Sequence, residues 1–290
     1  MRSHLPRITV VALLATAAPV AAQQSGLPTS QPPILTIVRE EVKHGRNAEH
    51  ARHEAGWPAA FERAKSSAYY IALMSMTGPN EAWYVVPQQS HAAMAEDMKR
   101  EDADDVLTAE LRRLARADAE LINSSRTIQA RARPDLSLGD FPDVSKQRYY
   151  EITTFRVRPG REALFDTAAK LYREAARKAS PDASWRIYQV TAGMPGPTFL
   201  IFSSVGSFGQ FDAMQAADDK TWQGLSASDL ATITRFSTDG LITAESNRFR
   251  LDPLQSYVPR ETRMADAAFW MPKQKTAAKP RLQQPAKQTP

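Results

Sequence analysis

Tyr149-Tyr-Glu-Ile-Thr-Thr-Phe-Arg-Val157-Arg-Pro-Gly160-Arg161 is the stretch that decides the fold. A run rich in β-branched and aromatic residues enters a proline-glycine turn. A helical apolar period then starts at once and runs from Glu162 to Ala179. The same grammar stands earlier in the chain. Ile34 to Val42 is a strand pattern, Val42-Lys-His-Gly45-Arg46 is its turn, and Ala48 to Lys65 follows with helical spacing. Gly45 and Gly160 are 115 residues apart. So are Gly78, in Met74-Ser-Met-Thr-Gly78-Pro79, and Gly193, in Val190-Thr-Ala-Gly193-Met-Pro195. His91 to Met94 parallels Phe211 to Met214, Glu110-Leu111 parallels Asp229-Leu230, and Arg131 to Pro134 parallels Arg250 to Pro253. Anchors kept in order at nearly one offset are the mark of an internal repeat, and the small drift is what loops allow.

Each copy reads as strand, helix, hairpin, helix, strand. The hairpins are Ala68 to Met76 with Ala82 to Val86, and Trp185 to Ala192 with Thr198 to Ser203. Helical sequence returns over Ala92 to Ala119 and Phe208 to Phe236. The last strands lie near Arg126 to Ala132 and Ser246 to Leu251. The order β-α-β-β-α-β is the ferredoxin-like split motif. The expected fold class is therefore α+β: two tandem ferredoxin-like modules at 34–133 and 148–253, joined by a linker at 134–147 marked by Pro134, Gly139 and Pro142.

At Tyr149 to Arg161, and again in the glycine-proline hairpins, the sequence resembles the NIPSNAP-like members of the dimeric α+β barrel superfamily, which also holds the antibiotic-biosynthesis monooxygenases and EthD-like proteins. The resemblance covers both copies; the first departs from it at His44, where the second has Pro159. It implies that two modules face each other through their sheets. Because one chain carries both, it implies an intramolecular pseudo-dimer and a monomeric chain. Apolar residues on both alternating sets of a strand (Leu35 and Ile37, then Val38 and Val42) agree with a sheet covered on both faces. Relatives bind flat or hydrophobic molecules, so a small hydrophobic or aromatic ligand is the implied partner.

Composition sets the outer limits. The chain has 290 residues, 42% hydrophobic and 24% charged, enough for two ordinary cores. The net charge of +5 gathers partly at the ends, in Arg2, Arg7, Lys273, Lys275, Lys279, Arg281 and Lys287, which argues against a folded nucleic-acid face. Arg2 and Arg7 precede an apolar run, Ile8 to Ala18, that ends in Val20-Ala21-Ala22. This reads as a signal peptide at 1–22, cleaved near Ala22, and hence as export to a periplasmic or extracellular space. Residues 23–33 read as a flexible leader, and 254–290 as an extended to disordered basic tail. The chain has no cysteine, which removes thiol, disulfide and iron–sulfur chemistry.

Candidate chemistry gathers in the first copy. Its histidines His44, His50, His53 and His91 have no histidine counterpart in the second; at the repeat offset His50 faces Phe165, His53 faces Ala168 and Trp57 faces Tyr172. His50 and His53 are three apart on one helix, so with Trp57 they form the candidate catalytic set. Such imidazoles can act as a general base, share a divalent metal, or ligate heme. Glu49 and Glu54 flank the pair, and Glu49, Arg52 and Glu62 share the helix, so the pattern favours a solvated polar face over a site. No HExxH or similar motif fixes a metal, and no cofactor is required by the sequence. Tyr70, Trp83 and Tyr84 form the candidate ligand-binding set, with core packing as the alternative role. No dinucleotide, phosphate-loop or nucleophile-elbow motif is present. Three readings remain: an exported small-molecule-binding protein, a cofactor-independent or heme-handling monooxygenase, and an envelope interaction protein using the basic tail.

Overall fold

The computed structural model describes residues 26–272. The expected signal segment, the first residues of the leader and the tail from Lys273 onward lie outside the described residues. The first module is β1 (Ile34–Val42), α1 (Asn47–Glu54), α2 (Gly56–Ala64), β2 (Tyr70–Ser75), β3 (Glu81–Gln88), α3 (His91–Asp102), α4 (Asp105–Asp118) and β4 (Ile122–Ala132). The second is β5 (Tyr149–Val157), α5 (Glu162–Ala179), β6 (Arg186–Ala192), β7 (Thr198–Val205), α6 (Gln210–Gln223), α7 (Ala227–Arg235) and β8 (Leu241–Tyr257). Two short helices follow, α8 (Arg260–Ala265) and α9 (Ala267–Trp270).

The four strands of the first module lie in the order β4-β1-β3-β2, and those of the second in the order β8-β5-β7-β6. β2 pairs with β8 and β4 pairs with β6, so the sheets close into one eight-stranded antiparallel barrel within a single chain. The repeat is visible at atomic detail. Gly45 and Gly160 both hold φ 79°, a left-handed turn that a side chain would strain. Behind them the amides of Arg46 and Arg161 donate to the carbonyls of Lys43 and Arg158, each at 3.0 Å.

The modules differ where the sequence predicts one continuous first helix, Ala48 to Lys65. In the first module it breaks at Ala55. Pro58 has no N–H to donate to the Glu54 carbonyl and its ring crowds that carbonyl, so α1 ends there. The second module has Arg173 at the matching position, and α5 runs unbroken.

Strand alternation sorts the core into two kinds of space. Leu35, Ile37, Ile71, Leu73, Trp83, Tyr150, Ile152, Tyr188, Phe249 and Leu251 point into the barrel. Val42, Phe61, Tyr70, Ala72, Tyr84, Leu107 and Leu114 fill the layer between sheet and helices of the first module. Val157, Phe165, Phe199, Ile233 and Phe236 do so in the second.

Both expected loose ends are ordered where they meet the barrel. From the leader, Pro28 and Pro32 are buried, and Gln31 Nε2 donates to the Ile187 carbonyl at 3.0 Å. The basic tail was expected from residue 254; instead β8 continues to Tyr257, and α8 and α9 fold back over the barrel end. Trp270 is 3% exposed and its Nε1 donates to the Ser145 carbonyl at 3.1 Å. Arg148 pairs with Asp266 and lies over the Phe269 ring at 3.7 Å. One aromatic pair anchors this segment, and two residues are too few to make a period in the sequence. No described helix is long and apolar enough to cross a membrane.

Candidate functional site

In the first module the layer between sheet and helices holds four buried ionisable groups. Glu40 stands on β1 between Val38 and Val42 and so faces the helices with them. His50 and Glu54 lie one turn apart on α1, on one face. Asp118 ends α4, continuing the apolar row Leu107, Leu111, Leu114. Exposures are 7% for Glu40, 1% for His50, 4% for Glu54 and 5% for Asp118. His50 Nε2 meets Glu40 Oε2 at 3.1 Å and stands 3.9 Å from Asp118 Oδ1. One ligand-type atom from each of the four lies within 4.8 Å of every other.

The electrostatics are unusual. Three carboxyl groups share the site, and no described Lys or Arg forms an ion pair with any of them. Burial, then the nearby Glu40 and Asp118, push the Glu54 carboxyl up to about 9. Burial and Glu40 push Asp118 up to about 6. Among the described residues Glu54 Oε1 and Asp118 Oδ1 have no hydrogen-bond partner, and neither does Trp57 Nε1 beside them. Such groups are costly to leave unmatched in a protein interior.

Of the sequence candidates, His50 is at the heart of this cluster. His53 is not: its Nε2 donates to the Leu114 carbonyl at 3.0 Å, and burial lowers its pKa. Trp57, Tyr70 and Tyr84 line the same layer. Burial raises the Tyr70 and Tyr84 hydroxyls well above the ordinary tyrosine range, and Tyr84 donates to Gln255 Oε1 at 3.2 Å. Trp83 is one residue along the strand and therefore points the other way, into the barrel, where its Nε1 donates to Glu81 Oε2 at 2.9 Å. Tyr70 and Tyr84 are thus together, and Trp83 is apart from them. Heme does not fit either histidine. His50 is enclosed with Nε2 against Glu40, His53 is held by a backbone carbonyl, and neither lines a cavity described below.

Glu40 and Asp118 are not among the residues that the sequence singles out. Their signal was a charge at an inward position: Glu40 in the set of Val38 and Val42, Asp118 in the leucine stripe of α4. Glu54, which the sequence shows flanking the histidine pair, is four residues from His50, the spacing that puts two ligands on one helix face.

A second feature lies on the other side of the sheet. At the barrel end where β1 and β5 begin, an apolar cavity of about 80 Å³ is walled by Leu35, Ile71, Leu73, Val85, Tyr188 and Phe202. Leu27, Pro28, Phe141, Pro142 and Val144 roof it and also line an outer cleft of about 650 Å³ beside Pro259 to Ala265. The Tyr150 hydroxyl reaches this region fully buried and has no hydrogen-bond partner among the described residues; burial raises its pKa above the ordinary tyrosine value. Arg186 clasps the roof by donating to the Gly139 carbonyl at 2.9 Å.

No family model matches the chain, and no curated protein matches it in sequence. Solved structures do match in shape. An anthrone oxidase-like protein superimposes with a TM-score of 0.53 at 13% identity, covering 77% of this chain and 93% of its own. A provisionally named monooxygenase from Fusobacterium nucleatum gives 0.49 at 11% identity, covering 76% and 92%. A chlorite dismutase variant from Candidatus Nitrospira defluvii gives 0.45 at 10% identity, covering 78% and 93%. At these identities the likeness concerns the fold alone.

Proposed function

Taking the chain as a dimeric α+β barrel closed within one polypeptide, we propose that it is an exported monomer that binds a small, largely apolar molecule at the roofed barrel end. The observation that carries this reading is the Tyr150 hydroxyl, buried without a partner beside an apolar cavity. A buried unmatched hydroxyl costs about 1–3 kcal/mol, which a ligand's hydrogen-bond acceptor recovers. The inner cavity is smaller than the ~300–1,000 Å³ usual for ligand sites, whereas the adjoining cleft falls within that range. The ligand therefore places an apolar head inside and its remainder under the roof. Export rests on the signal-like segment ending at Ala22; the mature N-terminus is expected at Gln23, readable by N-terminal sequencing of secreted protein.

Calorimetric titration with 2-naphthol tests the site. Saturable one-to-one binding is expected, weakened about threefold to tenfold by Tyr150→Phe, the equivalent of one hydrogen bond. Equal binding by wild type and variant, or none by either, rejects it.

A second reading, an oxidoreductase of the monooxygenase kind, draws on the first module, where Trp57 Nε1, unpartnered among the described residues, sits beside the Glu54 carboxyl, whose pKa burial raises. The likeness to an anthrone oxidase-like protein suggests the trial substrate. Oxygen uptake with anthrone that disappears in Trp57→Phe supports this reading; none above the spontaneous rate removes it.

A further inference from the structure

We propose that Glu40, His50, Glu54 and Asp118 form a binding site for one divalent first-row metal ion in the first module.

Four observations meet on this point. The first is geometry: the ligand-type atoms are mutually within 4.8 Å. Four ligands about 2.0–2.2 Å from such an ion lie ~3.3–3.6 Å from one another, so side-chain movements of under about 1 Å close the shell. The second is charge. Among the described residues these three buried carboxyl groups have only the imidazoles of His50 and His53 as ion-pairing neighbours, and a dication supplies the missing positive charge. The third is the state of the lone pairs. Glu54 Oε1 and Asp118 Oδ1 are without partners although both residues are at least 95% buried, and both belong to the cluster.

The fourth is an internal control. The second module builds the same layer without these groups. Register places Phe155 where Glu40 stands, Phe165 at His50, Ala169 at Glu54 and Ser237 at Asp118. There Phe155 and Phe165 pack at 5.8 Å between ring centroids, and Phe165 and Phe236 at 5.6 Å. The fold thus closes this layer with phenyl rings. Replacing buried ionic groups by well-packed apolar ones is commonly neutral or stabilising, so the scaffold has no need of four polar groups here.

The donor set names the ion class. Three carboxylates and one imidazole, with no sulfur, suit manganese(II) or iron(II), with zinc(II) a competitor. His53 donates to the Leu114 carbonyl and stands 3.9 Å from Glu54 Oε1, so it lies outside the shell.

The test uses the full mature chain, stripped with chelator and titrated with manganese(II) under argon. Electron paramagnetic resonance should show one bound ion per chain, with a nitrogen coupling that is lost in His50→Gln. Glu54→Gln, which keeps the shape of the side chain, should weaken binding at least tenfold while circular dichroism stays that of wild type. Zinc(II) should compete for the same site, and Tyr150→Phe should leave binding unchanged because it lies across the sheet. Substoichiometric binding by folded wild type overturns the proposal. So does manganese binding that survives both His50→Gln and Glu54→Gln. Should Glu54→Gln not fold, the nitrogen coupling in wild type and its loss in His50→Gln decide alone.

Discussion

Phe165 in the second module occupies the place that His50 holds in the first. Both lie one turn into the helix that follows the strand–glycine turn, and both are buried, at 3% and 1% exposure. One backbone thus carries two solutions to one layer: a phenyl cluster in the second module and a charged centre in the first. Asymmetry between halves of matching backbone points to function, because packing alone is met by either.

The charged centre weakens the metal-free protein. Glu54 has to keep a proton or sit as an unmatched anion, and its amide analogue avoids both. In chelator at pH 8, Glu54→Gln should unfold at higher urea concentration than wild type, by about 1 kcal/mol. A loss of stability of that size would show that the carboxyl has a structural partner.

The same centre gives a pH signature. The folded-state values of Glu54, about 9, and Asp118, about 6, lie above their ordinary values of 4.5 and 3.8. Between those limits the folded state binds more protons than the unfolded one. As far as these groups decide it, the stability of the metal-free protein should therefore be fully present below about pH 4 and should fall as pH rises toward 9. Urea melts across pH 5–9 in chelator check this, and the slope should flatten in Glu54→Gln.

Tyr150 offers a contrast. Its hydroxyl is unmatched in the free protein, so Tyr150→Phe should leave stability unchanged or raise it by up to about 1 kcal/mol. Thermal melts without ligand measure it. A substantial loss would mean that the hydroxyl is already bonded.

The barrel seam depends on Gly193. Its φ is 85°, and a Cβ there would stand 2.0 Å from the Thr127 carbonyl oxygen of β4. Gly160 has a similar φ with nothing within 4 Å of the added carbon. Gly193→Ala should cost clearly more than the ~1 kcal/mol expected of Gly160→Ala, because it combines strain with a backbone clash between modules. Parallel urea melts of the two variants test the difference.

Trp270 anchors the C-terminal segment over the barrel end. Trp270→Ala should cost about 3–5 kcal/mol, as for other buried large-to-small changes, and should expose the barrel mouth to hydrogen exchange. A change below 1 kcal/mol would show that the segment rests on the barrel without holding it.

Much of this fold could be read from the sequence. β1, β5 and α5 begin and end where glycine turns and periodicity place them, because local chemistry fixes those ends. The α1–α2 break was written in Pro58 and hidden by an otherwise good helical period. The closure of α8 and α9 over the barrel was not legible, since it depends on Phe269 and Trp270 meeting surfaces more than 100 residues away. In the charged centre, His50 was found by its lack of a counterpart. Glu40 and Asp118 were not, because a lone carboxylate in an apolar pattern gains meaning only when three elements bring it to a shared point. Trp83 was grouped with Tyr84 by nearness in sequence, and strand alternation separates them.

Native mass spectrometry of the chain, purified without added ligand, bears most directly on the central claim that one chain closes a ligand-binding barrel. The account predicts a single-chain mass carrying a small molecule that is released on unfolding and is reduced in Tyr150→Phe. A stable two-chain species, or a bare single chain that takes up none of the aromatic probe when it is added, would contradict it.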